Sequence, residues 1–593
     1  MYSYIEKGVY GMEYKKEYEK WLASEYVDEQ TKEELKALAQ SPAAEANIED
    51  RFHKSLEFGT GGLRGIMGAG SNRMNIYTIR TATQGLANYI LAEAQKPGQE
   101  GLVAQGVAIA YDSRYNSEAF ANEAALVLNG NGIPAYLFNS LRTTPFLSFA
   151  VRYLGCTAGI MVTASHNPKT YNGYKVYWSD GAQVVYPRDE DIITEVGKIT
   201  DFSHIQRMEL QKARDVSLYR MAGSDVDEEF INSVVSMADL AISRGCNLPI
   251  VYTPLHGGGS ASVGKVLETA GFTNVHLVRE QAQPDPEFST IASPNPEDAE
   301  AFSLALGLAK EVGAELVMAS DPDADRLGVY VKDPDGGYVM LTGNMIGVLI
   351  AEYMLSRRKQ LGILNPNGVI ISTIVSTRMV KKIALAFGIG HEQVLTGFKY
   401  IGEKIRGYEE TGIGEFVFGF EESYGYLAGS YARDKDSAVA ALLFSELCAV
   451  NAEKGISIPE ALEELYKKYG YFKEATRSLA FDGLAGLTKM RAIMSGLRAR
   501  PTRGIAGINV TSVADYLNDE LRNLDTGKAE STGLPASDVL LYELEDGSWF
   551  AVRPSGTEPK MKVYFGAGGT SQDEVDAKLK KMATEVMNII HEM

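Results

Sequence analysis

The sequence predicts an α/β protein of several domains that ends in a smaller α+β domain. Three observations carry that expectation. The chain has 593 residues, too many for one hydrophobic core, so about three to five domains are expected. Short apolar runs alternate with helical stretches along most of its length, as in parallel sheets crossed over by helices. The chemically unusual residues fall just after those runs, where function gathers in such sheets.

The elements follow in order. Residues 12–55 read as helical, with EYKKEYEKWL and then TKEELKALAQ showing exposed charge and few strand formers. GVAIAYD (106–112) predicts a strand and SEAFANEAALVLNGNG (117–132) the helix after it. AGIMVT (158–163) is a strand that delivers Ser165. LPIVYTP (248–254), ELVMAS (315–320), GVIISTIVS (368–376) and EFVFGF (415–420) repeat that logic, and FAVRP (550–554) leads into the last such loop. The closing LKKMATEVMNII is an amphipathic helix preceded by strands, which suits an α+β domain. Charged or Gly/Pro-rich segments place boundaries near 208, 335 and 470. The expected divisions are a helical extension at 1–50 and domains at 51–207, 208–334, 335–469 and 470–593.

Composition excludes several classes. No apolar run approaches the roughly 20 residues that a membrane-spanning helix needs, and the polar, tyrosine-rich N-terminus lacks the pattern of a secretory signal. Cys156, Cys246 and Cys448 are far apart, without disulfide-framework or zinc spacing. A cytoplasmic protein is expected. The net charge of −19 argues against a general affinity for nucleic acid. Any phosphate site must therefore be built from locally clustered Arg, Lys and backbone N–H groups.

Five loops carry chemistry. In TASHNPKTYNGYKVYW (163–178), Asn167-Pro168 and Asn172-Gly173 force turns, so Ser165 and His166 are expected exposed at a bend. A serine nucleophile needs a base or a cation, and His166 and Lys175 are candidates; the plain alternative is a serine that caps a helix. In SDPDADRLG (320–328), Asp321, Asp323 and Asp325 alternate. An extended loop would send all three to one side, where like charges demand a cation. Hard oxygen ligands favour magnesium or manganese, and a solvated acidic turn is the alternative. FGFEESYG (418–425) offers Glu421, Glu422 and Ser423, a mix suited to sugar hydroxyls, although two glutamates at a strand end also suit a helix start. In VRPSGTEPKMKVY (552–564), Arg553, Ser555 and Thr557 surround Gly556, with Lys560 beyond, as in a phosphate cradle. FGTGGLRGIMG (58–68) sets Thr60 and Arg64 in a glycine-rich loop that is neither a P-loop nor a dinucleotide fingerprint. Phosphoryl transfer through a phosphoserine accounts for nucleophile, cation site, sugar loop and cradle together.

The set TASHNP, DPDADR, FEES and RPSGTEP, in that order, resembles the α-D-phosphohexomutase superfamily. FGTGGLRG, AYDSR (110–114), TGFKYIG (396–402) and ARDKD (432–436) match its pattern too. The likeness runs from about residue 50 to the C-terminus and lies nearest the branch of bacterial-type phosphoglucomutases and phosphopentomutases. It implies four domains around a central cleft, three α/β with mixed sheets and a C-terminal α+β one, each giving one loop. By that likeness Ser165 carries phosphate, and Asp321, Asp323 and Asp325 with a phosphate oxygen on Ser165 hold Mg2+. Glu421 and Ser423 would bind sugar hydroxyls, and Arg553, Ser555, Gly556 and Thr557 the phosphate that is not being transferred. Thr60, Arg64, His166, Asn167, Lys175, Arg326, Thr396 and Lys435 would complete the site, with His166, Lys175 and Arg64 at the transferring group. One position departs from the pattern: Phe420 stands where many glucose-specific members have glycine, which bears on the choice of sugar.

The implied activity interconverts glucose 1-phosphate and glucose 6-phosphate, with glucose 1,6-bisphosphate as primer and intermediate. Pentose or mannose phosphates are the alternative substrates. A non-catalytic sensor would be expected to lose Ser165 or an aspartate of the triplet, and a simple phosphatase needs no second cradle. The expected partners are small-molecule sugar phosphates, with no nucleic acid or membrane, and the chain is expected to be a monomer or homodimer.

Overall fold

The computed structural model describes residues 14–57, 62–481, 483–554 and 560–593. Three helices come first, Tyr14–Ala23, Glu29–Ala39 and Ala44–Phe52. The second starts where Asp28 accepts the Thr31 N–H as its N-cap. Their apolar stripes bury Trp21, Leu35 and Phe52 against Ala69 and Tyr77 of the next domain.

The first α/β domain carries a six-stranded sheet. Its order is Gly62–Ile66, Tyr171–Trp178, Ala158–Val162, Val107–Tyr111, Ala135–Leu137 and Tyr219–Met221. The first two pairings are antiparallel and the rest parallel, so the sheet is mixed. The central strands Val107–Tyr111 and Ala158–Val162 are buried throughout, as continuous apolar runs should be in a sheet covered on both faces.

The second domain has five strands, in the order Tyr338–Leu341, Leu327–Lys332, Leu316–Ser320, Ile250–Thr253 and Val275–Leu277. The third has four: Gly390–Val394, Gly368–Thr373, Glu415–Glu421 and Gly425–Ala428. One core cluster runs through all three α/β domains, from Ala108 and Phe146 through Ile250 and Met318 to Ile370 and Phe444. Its axis is the helix Ser437–Glu453, SAVAALLFSELCAVNAE, which is buried on every side over its first thirteen residues, Ser437 to Ala449. A helix so predominantly apolar has no solvent face to offer.

The fourth domain is α+β. Tyr471–Ala480, Lys560–Gly569, Trp549–Pro554, Leu540–Leu544 and Ile508–Asp515 pair antiparallel in that order. Helices Gly483–Ala499 and Gln572–Glu592 share its core. Among the described residues no helix is long and apolar enough to cross a membrane.

Two strands fall beyond the expected boundaries. Tyr219–Met221, after 207, belongs to the first sheet, and Tyr338–Leu341, after 334, to the second. The first is three residues long and leaves no periodic trace. The second is reached through DPDGG (333–337), which reads as a linker but folds as a hairpin turn. There Gly336 has a φ of 86° and the Asp333 carboxylate accepts the Gly337 N–H at 2.8 Å.

Candidate active site

Ser165 follows the strand Ala158–Val162 with a φ of 51°, a left-handed conformation uncommon for a non-glycine residue. The neighbouring AYDSR segment imposes it. Arg114 donates to the carbonyl oxygens of Ser165 and Asn167, both at 2.5 Å, and to those of Pro168 and Tyr171 at 2.9 and 3.2 Å. Asp112 anchors Arg114 by an ion pair of 3.2 Å and accepts from Thr163 Oγ1 at 2.6 Å. The expected exposure of Ser165 is corrected here: it is only 3% exposed. The second domain's loop covers it, and Ser165 Oγ donates to Asp321 Oδ2 at 2.6 Å. His166 Nδ1 stands 3.2 Å from Ser165 Oγ. Burial, and then the charges of Arg326 and Arg64, push the His166 imidazole well below its usual range. Arg64, on the strand Gly62–Ile66, donates to Asn167 Oδ1 at 3.3 Å.

Asp321, Asp323 and Asp325 do converge, with ligand atoms within 4.8 Å of one another. The expected cause, an extended loop of period two, is corrected: the loop is a turn. The Ala324 N–H donates to the Asp321 carbonyl at 2.9 Å and Ala324 takes a φ of 49°. All three carboxylates are buried. Burial, with Asp325 and Asp323 adding to it, pushes the Asp321 carboxyl well above the usual carboxylate range. Asp323 goes the other way: burial opposes its charge, but Lys175 at 3.0 Å and hydrogen bonds from Asp321 and Thr144 together hold its carboxyl below the usual range. Asp323 Oδ1 and Asp325 Oδ1 are buried without a hydrogen-bond partner. Two orphaned anionic oxygens beside a serine hydroxyl form a donor set that fits a hard divalent cation.

The third domain's loop closes on the same place. Lys435 Nζ lies 3.2 Å from Asp325 and 3.5 Å from Glu421, joining the loops of the second and third domains. Glu421 is buried at the end of its strand. Ser423 is turned toward Glu422, to which its hydroxyl donates at 3.1 Å. Arg326 forms an ion pair with Glu297 and keeps a buried Nε without a partner. Thr396 Oγ1, just past the strand Gly390–Val394, is likewise buried and unpartnered. Arg553 lies near the end of a strand of the fourth domain, close enough to Lys399 and Tyr400 of the third for its charge to act on both. Lys562, also from the fourth domain, acts on His166. Thr60, Ser555, Gly556 and Thr557 lie outside the described residues.

Phe420 does not face this site. Its ring is fully buried in the shared core, stacked 5.9 Å from Phe418. It lies against Gly347, where an added Cβ would come within 2.5 Å of the ring. Sequence reasoning missed several supporting groups. Thr144 donates to Asp323 Oδ2 at 2.8 Å, the Ser437 hydroxyl holds the Ala324 carbonyl at 2.7 Å, and Tyr177 meets Asp434 at 2.7 Å. Each pair is more than 100 positions apart in the chain, so no local pattern could reveal it.

Models of the phosphoglucomutase/phosphomannomutase family match the chain domain by domain. Alpha/beta/alpha domains I, II and III match at residues 55–202, 228–337 and 342–469, and the C-terminal domain at 510–585. A phosphoglucomutase of Staphylococcus aureus is 36% identical over 91% of this chain and 94% of its own. Among solved structures, a phosphoglucomutase of Paramecium, parafusin, in an open form, aligns with a TM-score of 0.64 at 16% identity, covering 91% of this chain and 95% of its own. A phosphoglucomutase/phosphomannomutase family protein of Burkholderia thailandensis aligns with a TM-score of 0.63 at 19% identity, covering 90% and 97%. These two structures speak for the fold.

Proposed function

The chain belongs to the phosphoglucomutase/phosphomannomutase family and is a mutase of the phosphoglucomutase type, and from that premise we propose that Ser165 is the phosphoryl carrier between glucose 1-phosphate and glucose 6-phosphate. The observation that carries this reading is the 2.6 Å contact from Ser165 Oγ to Asp321, inside a cluster of three buried carboxylates. In the first half-reaction the bond from phosphorus to Ser165 Oγ breaks and one to the sugar's 6-hydroxyl oxygen forms, giving glucose 1,6-bisphosphate. The hydroxyl proton passes to a base, for which His166 and Lys175 are the candidates within the loop. The bisphosphate turns over, and its 1-phosphoryl returns to Ser165 as the proton returns to the sugar.

Asp321, Asp323, Asp325 and a phosphate oxygen on Ser165 would hold Mg2+, which when bound offsets the charge of the transferring group. Around that group Arg64 and Lys435 supply fixed positive charge, as does Lys175 where His166 is the base. Glu421 and Ser423 recognise sugar hydroxyls. Arg553, with Ser555, Gly556 and Thr557, grips the other phosphate at whichever end of the sugar it lies. Thr396, Arg326 and Asn167 line the same space. Small-molecule sugar phosphates are the partners this chemistry needs.

Intact mass and peptide mapping should find substoichiometric phosphate on Ser165. Ser165→Ala should abolish turnover across a panel of glucose, mannose and ribose 1-phosphates assayed with glucose 1,6-bisphosphate primer. Full turnover in the alanine variant would end the phosphoserine reading, and a preference for ribose 1-phosphate would move the substrate to pentoses.

A further inference from the structure

A cavity of about 480 Å³ abuts the cation loop without including any of its carboxylates. One wall is the start of the first domain's helix Thr144–Tyr153. The others are the helix Asp225–Val235 and the π-turn Ser260–Gly264, which runs into Lys265–Ala270. Small-molecule sites measure about 300–1,000 Å³, and single π-turns are rare and concentrate at functional sites. Phe146 and Phe230, both buried, form an aromatic floor with ring centroids 5.4 Å apart.

Arg142, Asp227 and Lys265 of the wall are already matched, and Glu228, also in the wall, is exposed to solvent. Arg142 forks onto Asp227 at 2.8 and 2.9 Å and turns its remaining amino group to the Ser140 and Leu141 carbonyls. Lys265 pairs with Glu268 at 3.0 Å. Thr143 is different. It is 3% exposed, it precedes the helix without capping it, and its Oγ1 has no hydrogen-bond partner. A buried hydroxyl left unpaired is costly, so a ligand that completes its bond is favoured. An anionic ligand would lose its hydration and gain no free counter-charge, and a cationic one would find only the solvent-exposed Glu228, where pairing contributes little.

We propose that this cavity binds a small uncharged amphipathic molecule, an aromatic or branched apolar body that carries one hydroxyl or carbonyl group for Thr143. The site is coupled to the reaction centre. The residue after Thr143 holds the cation loop twice: Thr144 N–H donates to the Asp323 carbonyl at 2.9 Å and Thr144 Oγ1 to its carboxylate at 2.8 Å. From the opposite wall Gly258 N–H donates to the Pro322 carbonyl at 2.9 Å. An occupant that shifts either wall shifts the loop, and by linkage cation and occupant alter each other's affinity by one common factor. The coupling rests on the mutase reading; the binding does not.

The test uses 4-fluorophenol as probe and 4-fluorobenzoate as its charged counterpart, followed by fluorine NMR of the full-length protein. The wild type should bind 4-fluorophenol saturably and 4-fluorobenzoate at least tenfold more weakly. Thr143→Val, which keeps shape and removes the hydroxyl, should weaken 4-fluorophenol about tenfold, and Ala261→Trp, which fills the cavity, should abolish its binding. No saturable binding, or binding that neither variant changes, overturns the proposal. Saturating 4-fluorophenol should also move the magnesium concentration for half-maximal turnover at least threefold in the wild type and not in Ala261→Trp; no movement overturns the coupling. Absence of turnover while 4-fluorophenol still binds would count against the mutase reading alone.

Discussion

At Ser165 the backbone holds a left-handed φ, and the Arg114 guanidinium pins four carbonyl oxygens around it. Such strain persists only where the surroundings over-determine it. The residue types of the site were readable one by one, because serine, aspartate triplet, glutamates and arginine each stand at the end of an apolar run. What they rest on was not. Thr144 and Ser437 steady the cation loop from other domains, and Phe420, the one departure from the family pattern, points into the core rather than at sugar. The triplet supports a prediction. Asp323 faces Lys175 and Thr144, and its Oδ1 is free for a cation. Asp323→Asn should cut turnover by two or more decades and raise the magnesium requirement, measured by titrating the metal into chelator-treated enzyme. Thermal stability should fall as well, because Lys175 loses its 3.0 Å buried ion-pair partner, while relief of the carboxylate crowding offsets part of that loss. A variant that melts far earlier but turns over normally would mean the triplet is structural.

Among the elements, those with long patterns were legible. The buried strands and the final amphipathic helix declare themselves, while the three-residue strand Tyr219–Met221 and the turn at Ala324 carry too little periodicity to be read. The N-terminal helices were visible as helices, but their purpose was not, because it lies in contacts with a turn at 68–73. Arg51 donates to the Ala69 carbonyl at 2.8 Å and pairs with Glu34, and an added Cβ at Gly70 would meet the Arg51 carbonyl at 2.8 Å. That turn continues the strand bearing Arg64, so the three helices brace one edge of the candidate site. Trp21, 2% exposed among Phe52, Tyr77 and Phe202, is the keystone of the contact. Trp21→Ala should destabilise the packing of the helices by about 3–5 kcal/mol. Limited proteolysis should then cut within residues 24–57 well before the rest of the chain. Equal cutting rates in variant and wild type would show that the helices do not depend on this cluster.

Across the whole molecule, the three α/β domains are less separate than the sequence suggests, because they share the core around the helix Ser437–Glu453. Glu446 sits in that helix with 1% exposure, accepting from the Asp239 N–H at 2.6 Å and from Tyr353 Oη at 2.9 Å. Burial lifts its carboxyl from an ordinary 4.5 to about 7; those two hydrogen bonds and Arg357 pull it back in part, and Asp239's charge adds to the rise. The sign follows directly. Between the two values the folded chain keeps a proton that the unfolded chain has lost, so this group favours the fold below about pH 4.5 and that advantage drains away as pH rises to about 7. At about 1.4 kcal/mol per pKa unit, the loss is on the order of 3 kcal/mol, spread over all three domains because their core is common. Glu446→Gln keeps the carbonyl acceptor and cannot ionise. Denaturant unfolding measured from pH 5 to 8 should show the wild type losing stability relative to Glu446→Gln as pH rises, with the difference levelling off above about pH 7. Parallel curves for the two proteins would mean that the buried carboxyl is neutralised by another group and that the shared core carries no such titration.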